Sequence, residues 1–526
     1  MAEDVLMKEK RRKLQELKDL GINPFPYSFE KKHTSKDINE FNDTLQAEEK
    51  SGVIMQTAGR IMTMRNMGKI AFSHIQDEDG KVQLYFAKDT LGETYKLLKK
   101  FDLGDIIGVS GEVFKTRTGE VTLDVQSFEL LTKSIKALPE KYHGLKDKEL
   151  RYRQRYIDLI MNQDVKEVFK KRSVMIAAIR EFLSARGFME VETPLLQTQY
   201  GGASARPFET HINAWNMKMY LSISPELYLK RLIVGGFEKV FTICKNFRNE
   251  GVDMSHNPEF TMIEIYQAYA DYNDMMKLIE ECYEFCALKI NGTTKVTHTV
   301  DDKEITIDFK APWPKKTMAQ AIKDELSIDV LNMQKEDLQD FCDANGVEYS
   351  SSDSWGDLVL SIFELVEDSI IQPTHIYDMP KEGTPLCKRH RSDDRLNEQC
   401  EPIGLGMELG NMYSELNDPD VQLEELKKQV EKGRGGDEES HPMDDDFINA
   451  IQVGMPPTGG IGWGIDRMAI LLTGAASIRD VILFPTMKPE EVVDTRSKSQ
   501  IDKEKKALRK AEEAKQAAES AGASTN

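Results

Sequence analysis

Arg248 and Glu250, followed closely by His256, Asn257 and Phe260, crowd chemistry into the short stretch 241–264. A guanidinium grips phosphate or carboxylate through parallel N–H bonds. An aromatic ring offers a stacking face, and a carboxylate and an amide read hydrogen-bonding edges. Together these groups suit a nucleotide. On composition alone, a surface hairpin with ordinary ion pairs is the stronger reading. A second set comprises Glu401, Glu408, Asn411, Tyr413 and Glu415. Glu401 and Glu408 can hold a divalent cation through hard oxygens, with nucleotide phosphates completing the shell. Asn411, Tyr413 and Glu415 alternate, so a strand presents them on one face. Each acid alone also fits a solvated strand, but several converging beside glycines weaken that reading for the set. Arg467 follows in Gly-Ile-Asp-Arg, at the end of a glycine-rich run that begins at Gly459.

These residues need elements to position them. Apolar and β-branched content predicts strands over 240–247 and 259–265. Gly251, Asp253, Ser255, Asn257 and Pro258 between them form a loop, which makes a long hairpin. Upstream, apolar spacing predicts a helix over 164–186, stopped by Gly187, with a short strand over 188–191 ended by Pro194. Gly202 lets the backbone approach a ligand closely. Ser224-Pro225-Glu226 opens another helix, where Glu226 sits well in the helix dipole. Beyond the hairpin we expect a helix over 272–288, a strand over 301–308, a helical insertion over 317–345 and a helix over 355–370.

The N-terminal part differs in kind. Residues 4–20 read as a charged helix ending at Gly21. Residues 53–131 read as five short strands with a helix interposed over 91–100, the pattern of an OB-fold barrel and a scaffold for single-stranded nucleic acid. Arg65, Phe72, His74 and Gln83 can supply stacking and base-edge contacts, although Phe72 fits the barrel core equally well. Arg151, Arg153 and Arg155 then form a local basic patch.

The 526 residues suffice for two to four domains, and 40% hydrophobic with 30% charged residues suits a globular chain. No apolar run approaches the ~20 residues that span a bilayer, and the first ten residues lack the apolar core of a signal peptide. The expectation is a cytoplasmic protein with no membrane partner. Six cysteines show no zinc spacing and read as free thiols. Net charge is −19, against bulk attraction to nucleic acid. Residues 1–150 are nonetheless balanced, with 25 Lys and Arg against 25 Asp and Glu, so an RNA partner meets less repulsion there.

Order decides what composition leaves open. Phe-Arg-Asn-Glu, a loop, then His-Asn-Pro-Glu-Phe resembles motif 2 of class II aminoacyl-tRNA synthetases, closest to their lysine-specific bacterial branch. Helix–Gly–strand–Pro over 164–194 resembles motif 1, and Gly-Ile-Asp-Arg resembles motif 3. The resemblance implies an α+β fold: an N-terminal OB-fold β-barrel followed by a class II catalytic domain whose antiparallel sheet is flanked by helices. It implies an N-terminal helix and anticodon-binding domain over 1–140, a linker over 141–163, a catalytic domain over 164–496 and a charged tail over 497–526. The implied reaction joins L-lysine to tRNA(Lys) through a lysyl-adenylate, releasing AMP and pyrophosphate.

By the same resemblance, Arg248 bridges the lysine carboxylate and the α-phosphate, and Arg467 covers the adenine opposite Phe260 and reaches the γ-phosphate. Glu250 and Asn257 read the adenine edge, and His256 meets the outer phosphates of ATP. Glu401 and Glu408 bind Mg²⁺. Gly202, Glu226, Arg248, Tyr266, Asn411, Tyr413 and Glu415 bind lysine. Arg65, Phe72, His74, Gln83 and Glu120 meet the anticodon. Residues 164–194 build a homodimer. Two departures stand out: Ser255 replaces a basic residue that contacts β/γ-phosphate, and Trp463 replaces a small aliphatic one. A lysine ligase acting on a translation factor shares this core but lacks the barrel. A non-catalytic RNA-binding paralogue would have lost Arg248, Arg467 or the glutamates.

Overall fold

The computed structural model describes residues 5–139, 147–435 and 440–489. The charged tail expected over 497–526 lies outside the described residues. The chain divides into two compact units, Met1–Lys148 and Glu149–Asn526.

The first unit is built on a closed five-stranded barrel. Its strands are Lys50–Asn66, Ile70–Gln76, Lys81–Ala87, Ile106–Lys115 and Val121–Thr132. Neighbours pair antiparallel except Lys81–Ala87 with Val121–Thr132, which run parallel. The period of two is clean: Ala71, Ser73 and Ile75 point inward, and Phe72 and His74 point out. Ile61, Leu84, Phe86, Ile107, Val113 and Leu123 fill the interior, and Leu17 of the helix Val5–Asp19 joins them. The helix expected over 91–100 is replaced by a short α-helix, Lys88–Leu91, and a 3₁₀ segment, Gly92–Lys100. The α-helix stops because Gly92 takes φ +57°.

The second unit centres on a nine-stranded sheet. From one edge its strands run Lys315–Thr317, Thr374–Pro380, Leu396–Gly404, Asn411–Ser414, Thr458–Gly464, Glu259–Ala268, Lys239–Phe247 and Met189–Glu190, with Met407–Glu408 paired to Leu396–Gly404. The interior pairs are antiparallel and the two edge pairs parallel. The helices Gln163–Ser184, Tyr272–Asn291 and Ile465–Thr473 pack one face through Ile179, Phe182, Ile279, Tyr283, Met468 and Leu472. Trp463 belongs to this core, 2% exposed and 6.4 Å from the Tyr283 ring.

Three expectations change. The strand predicted over 301–308 is Lys303–Asp308, and Asp301 and Asp302 turn the hairpin at φ +48° and +60°. The described part of the linker holds two short helices, Lys148–Arg153 and Arg155–Met161. Arg151, Arg153 and Arg155 do not form a free basic patch. Asp158 pairs with Arg151 at 2.8 Å and Arg155 at 2.7 Å, and Glu149 takes Arg153 at 2.6 Å. Arg155 is buried and donates to the carbonyls of Arg479 and Leu483.

Candidate active site

The helix Glu226–Val234 and the strands Glu259–Ala268, Asn411–Ser414 and Thr458–Gly464 enclose a cavity of about 350 Å³. Gly202, Glu226, Arg248, Glu250, His256, Asn257, Phe260, Tyr266, Asn411, Tyr413, Glu415 and Arg467 all line it. So does Glu408, whereas Glu401 does not.

One end is acidic. Glu226, Glu264 and Glu415 are 5%, 4% and 1% exposed. Ser224 Oγ donates to Glu264 Oε1 at 2.7 Å, and the Tyr266 hydroxyl donates to Oε2 at 3.1 Å. Lys230 Nζ lies 2.7 Å from Glu226 Oε1 and 2.5 Å from Glu415 Oε2. Glu415 Oε1 is buried with no hydrogen-bond partner. Burial, with the neighbouring Glu226 charge, pushes Glu264 up to about 8. Burial pushes Glu415 up to about 8 as well, against the pull of Lys230. Burial works against the Lys230 charge too, but Glu226 and Glu415 outweigh it and hold the ammonium above its ordinary value.

Two glycines make room. A Cβ on Gly460 would stand 1.9 Å from Glu415 Oε1 and 2.6 Å from the Tyr266 ring. Gly202 has φ +87°, and its Cβ would stand 2.8 Å from Ser224 Oγ. Glu415 continues the strand Asn411–Ser414 past its end, held by its N–H on Thr458 O at 2.8 Å and a bridge to Cys387.

The other end is cationic and aromatic. The Arg248 guanidinium lies 5.2 Å from the centre of the Phe260 ring, and its Nε is buried without a partner. The Arg248 N–H bonds Pro258 O across the hairpin mouth at 3.0 Å. Arg467 pairs with Glu408 at 3.0 Å and comes within 3.5 Å of His256 Nε2. Asp253 holds the other imidazole nitrogen of His256 at 2.9 Å. Asn257 already spends part of its amide on the backbone, donating to Glu259 O at 2.5 Å and accepting from Thr486 N–H at 3.2 Å. Ser255 also lines the cavity.

Glu401 accepts from Asn411 at 2.7 Å and Gln399 at 3.1 Å. Burial, then the charges of Glu408 and Glu367, pushes it up to about 8. Mutual repulsion among hard-oxygen donors is what a divalent cation relieves, so these residues fit one. Among the described residues no three His, Cys, Asp or Glu side chains converge into a closed metal site. Asn411, expected from sequence to bind lysine, lines the cavity and donates to Glu401.

Sequence reasoning missed the roles of three residues. Glu264 alternates with Tyr266 on one strand face, a signal that was available. Lys230 stands one helical turn after Glu226, the spacing of an ion pair. Asp466 accepts the Thr261 N–H at 2.7 Å and pairs with Arg172 at 2.6 Å, so one buried carboxylate ties together elements from all three motifs.

On the outer barrel face, Glu120 accepts from His74 at 2.8 Å and Gln83 at 2.6 Å. The second His74 nitrogen meets Thr63 at 2.8 Å, and Thr122 donates to Gln83 at 2.8 Å. Phe72 is half-buried outside the core, 5.1 Å from the Tyr85 ring, and Arg65 is exposed opposite it. Phe72 thus stands on the outer face with a half-buried ring, and Tyr85 lies beside it.

Residues 147–488 match the family model of class II tRNA synthetases (D, K and N), and residues 56–131 match that of the OB-fold nucleic acid binding domain. The chain is 52% identical over 491 residues to a lysine--tRNA ligase of Pelotomaculum thermopropionicum, covering 92% of this chain and 95% of the relative. It is 51% identical to that of Clostridium novyi, with 92% and 95% covered. A third, from Thermosipho melanesiensis, is 48% identical, with 93% and 98% covered. No described helix is long and apolar enough to cross a membrane. With both models matched and half of all residues shared along nearly the whole length, the chain belongs to the class II tRNA synthetases of the D, K and N group.

Proposed function

We propose that this protein ligates L-lysine to tRNA(Lys) using ATP, through a lysyl-adenylate that releases pyrophosphate and then AMP. One observation carries the amino-acid assignment: three buried carboxylates, Glu226, Glu264 and Glu415, share one end of a cavity whose other end is Arg248 and Phe260. An amino acid with ammonium groups at both ends of an apolar stem meets that demand, and Tyr266 and Tyr413 wall the stem. The lysine--tRNA ligase relatives agree with it.

In this reading the unpartnered Nε and the fork of Arg248 take the lysine carboxylate and the α-phosphate. Attack of a carboxylate oxygen on the α-phosphorus needs no protein nucleophile. It needs positioning and charge neutralisation as negative charge moves to the leaving pyrophosphate. Phe260 and Arg467 sandwich the adenine, Glu250 reads its edge with what remains of the Asn257 amide, and His256 meets the outer phosphates. Glu401 and Glu408 would hold Mg²⁺, which when bound neutralises phosphate charge. Glu408 exchanges its Arg467 contact for that role.

Phe72, Gln83, His74, Glu120 and Arg65 are proposed to meet the anticodon. A homodimer through 164–194 is supported by Val174 and Met189, which are 48% and 42% exposed apolar side chains there. Cytoplasmic residence is the matching location. The test is pyrophosphate exchange with each of the 20 amino acids. Exchange driven by lysine alone is expected, and exchange with a different amino acid, or none by folded protein, would overturn the assignment.

A further inference from the structure

Lys230 lies behind the wall of the cavity rather than in it. It is fully buried, and its ammonium reaches Glu226, Glu415 and the Leu386 carbonyl at 2.7, 2.5 and 3.4 Å. The ammonium donates to Glu226 and the Leu386 carbonyl, ion-pairs with Glu415 and does not line the cavity, so it is turned away from a substrate. Glu226 and Glu415 come from elements far apart in the chain, and Lys230 is the one described cation that touches both. It holds Oε2 of Glu415, and Oε1 is left over Gly460, buried and without a partner.

We propose that Lys230 is a positioning and specificity-determining residue: a fixed internal ammonium that clamps Glu226 and Glu415 so that the amino-acid end can present two surplus negative charges when the ammonium groups of the substrate arrive. Three carboxylates against one ammonium complement a substrate that brings two ammonium groups. Without the clamp, three like charges in a space of low dielectric cannot all stay ionised, and one takes a proton and turns away. This inference rests on the lysine assignment above.

The groups facing this charge are Glu226 on the same helix, Glu264 and Tyr266 on the hairpin strand, Tyr413 and Glu415 on the strand opposite, and Cys387 across the bridge from Glu415. Burial already raises Glu264 and Glu415 toward neutrality. Removing the nearest positive charge raises Glu415 further, so lysine must displace a more tightly held proton.

The test compares lysine-dependent exchange across pH for the unmodified protein, Lys230→Met and Lys230→Arg, with Tm and the ATP KM as controls. If the unmodified protein does not activate lysine, the lysine assignment fails, and this inference falls with it. Given activation, Lys230→Met should raise the lysine KM about tenfold or more with kcat and ATP KM nearly unchanged, and move the acid limb of kcat/KM up by about one pH unit. Lys230→Arg, which keeps the charge, should return the limb toward its original place. A Met variant with the original limb and KM overturns the proposal. So does a parallel loss of kcat and both KM values that Arg does not rescue. If Lys230→Met does not fold, Lys230→Gln takes its place with the same expectations. Failure of all three variants to fold assigns Lys230 to stability alone and also overturns the proposal.

Discussion

The barrel face and the acidic end of the cavity hold their polar groups in opposite states. On the barrel, Glu120, His74, Gln83, Thr63 and Thr122 satisfy one another in a chain of hydrogen bonds between 2.6 and 2.8 Å. In the cavity, Glu415 Oε1 and Arg248 Nε are buried with no partner. Solvent explains the difference. His74 and Glu120 are partly exposed and can trade a protein partner for water, so their pair is made and broken for roughly 0–1 kcal/mol, while buried Thr122 anchors the chain from inside. A buried group has no such substitute, and leaving it unmet costs about 1–3 kcal/mol. The barrel face is thus ready before its ligand arrives, and the cavity is incomplete until its ligand does.

Glu415→Gln should break this contrast most strongly. It keeps the size and removes the charge that the substrate ammonium and Lys230 share. Hydrogen bonds to charged groups contribute ~1.5–3 kcal/mol, and stranding a buried charge brings the total to ~3–5 kcal/mol. Lysine kcat/KM should fall roughly 10²–10⁴-fold, with discrimination against norleucine falling alongside. Lys230 keeps Glu226 in the variant, so the fold should persist. An unchanged lysine kcat/KM, or a loss that tracks unfolding, would remove lysine recognition from this residue.

Phe72→Ala tests the surface side. Stacking a base on an aromatic ring is worth about 1–3 kcal/mol, so tRNA charging should weaken roughly 5–150-fold while exchange stays unchanged. Equal loss of both activities would contradict a separate recognition surface.

The smallest expected effect is on stability. Glu264, Glu401 and Glu415 are raised to about 8 in the fold, and they return to about 4.3 when unfolded. Between those values the folded chain binds more protons than the unfolded one, so stability falls as pH rises toward 8. His298 and His375, lowered by burial, oppose this trend only at the low end of the window, because an unfolded imidazole near ~6.5 is mostly neutral above pH ~7. Between pH ~7 and ~8.5 the ligand-free Tm should drop by a few degrees, and the stabilisation by lysine should grow. A Tm that is flat or rises over that window would show these carboxylates to be ionised already.

Local pattern made much of this legible. Strand alternation put Asn411, Tyr413 and Glu415 on one strand face, whereas Phe72 stayed open between barrel core and outer face. Loop formers marked the hairpin mouth that Arg248 and Pro258 close. What stayed hidden depends on register and on long-range pairing. The partnership of Glu415 with Lys230 requires knowing which helix lies behind which strand. Arg151, Arg153 and Arg155 read as a patch because nothing local reveals that Asp158 folds back onto two of them. The 3₁₀ turn at Gly92 was missed because helical spacing of apolar residues over 91–100 does not distinguish three residues per turn from 3.6 over so short a run.

Gly460 carries a consequence for inheritance. Every base change at a glycine codon that alters the residue adds at least a Cβ, and here that atom would lie within 1.9 Å of Glu415 Oε1. Gly251 and Gly119 have nothing within 4 Å of theirs. The same mutation therefore meets open space at Gly251, only backbone strain at Gly119 with its φ of +88°, and a direct clash at the cavity floor. A lineage can lengthen its loops, recharge its surface and alter its tail while this position stays fixed by the missing atom that keeps the anion in place.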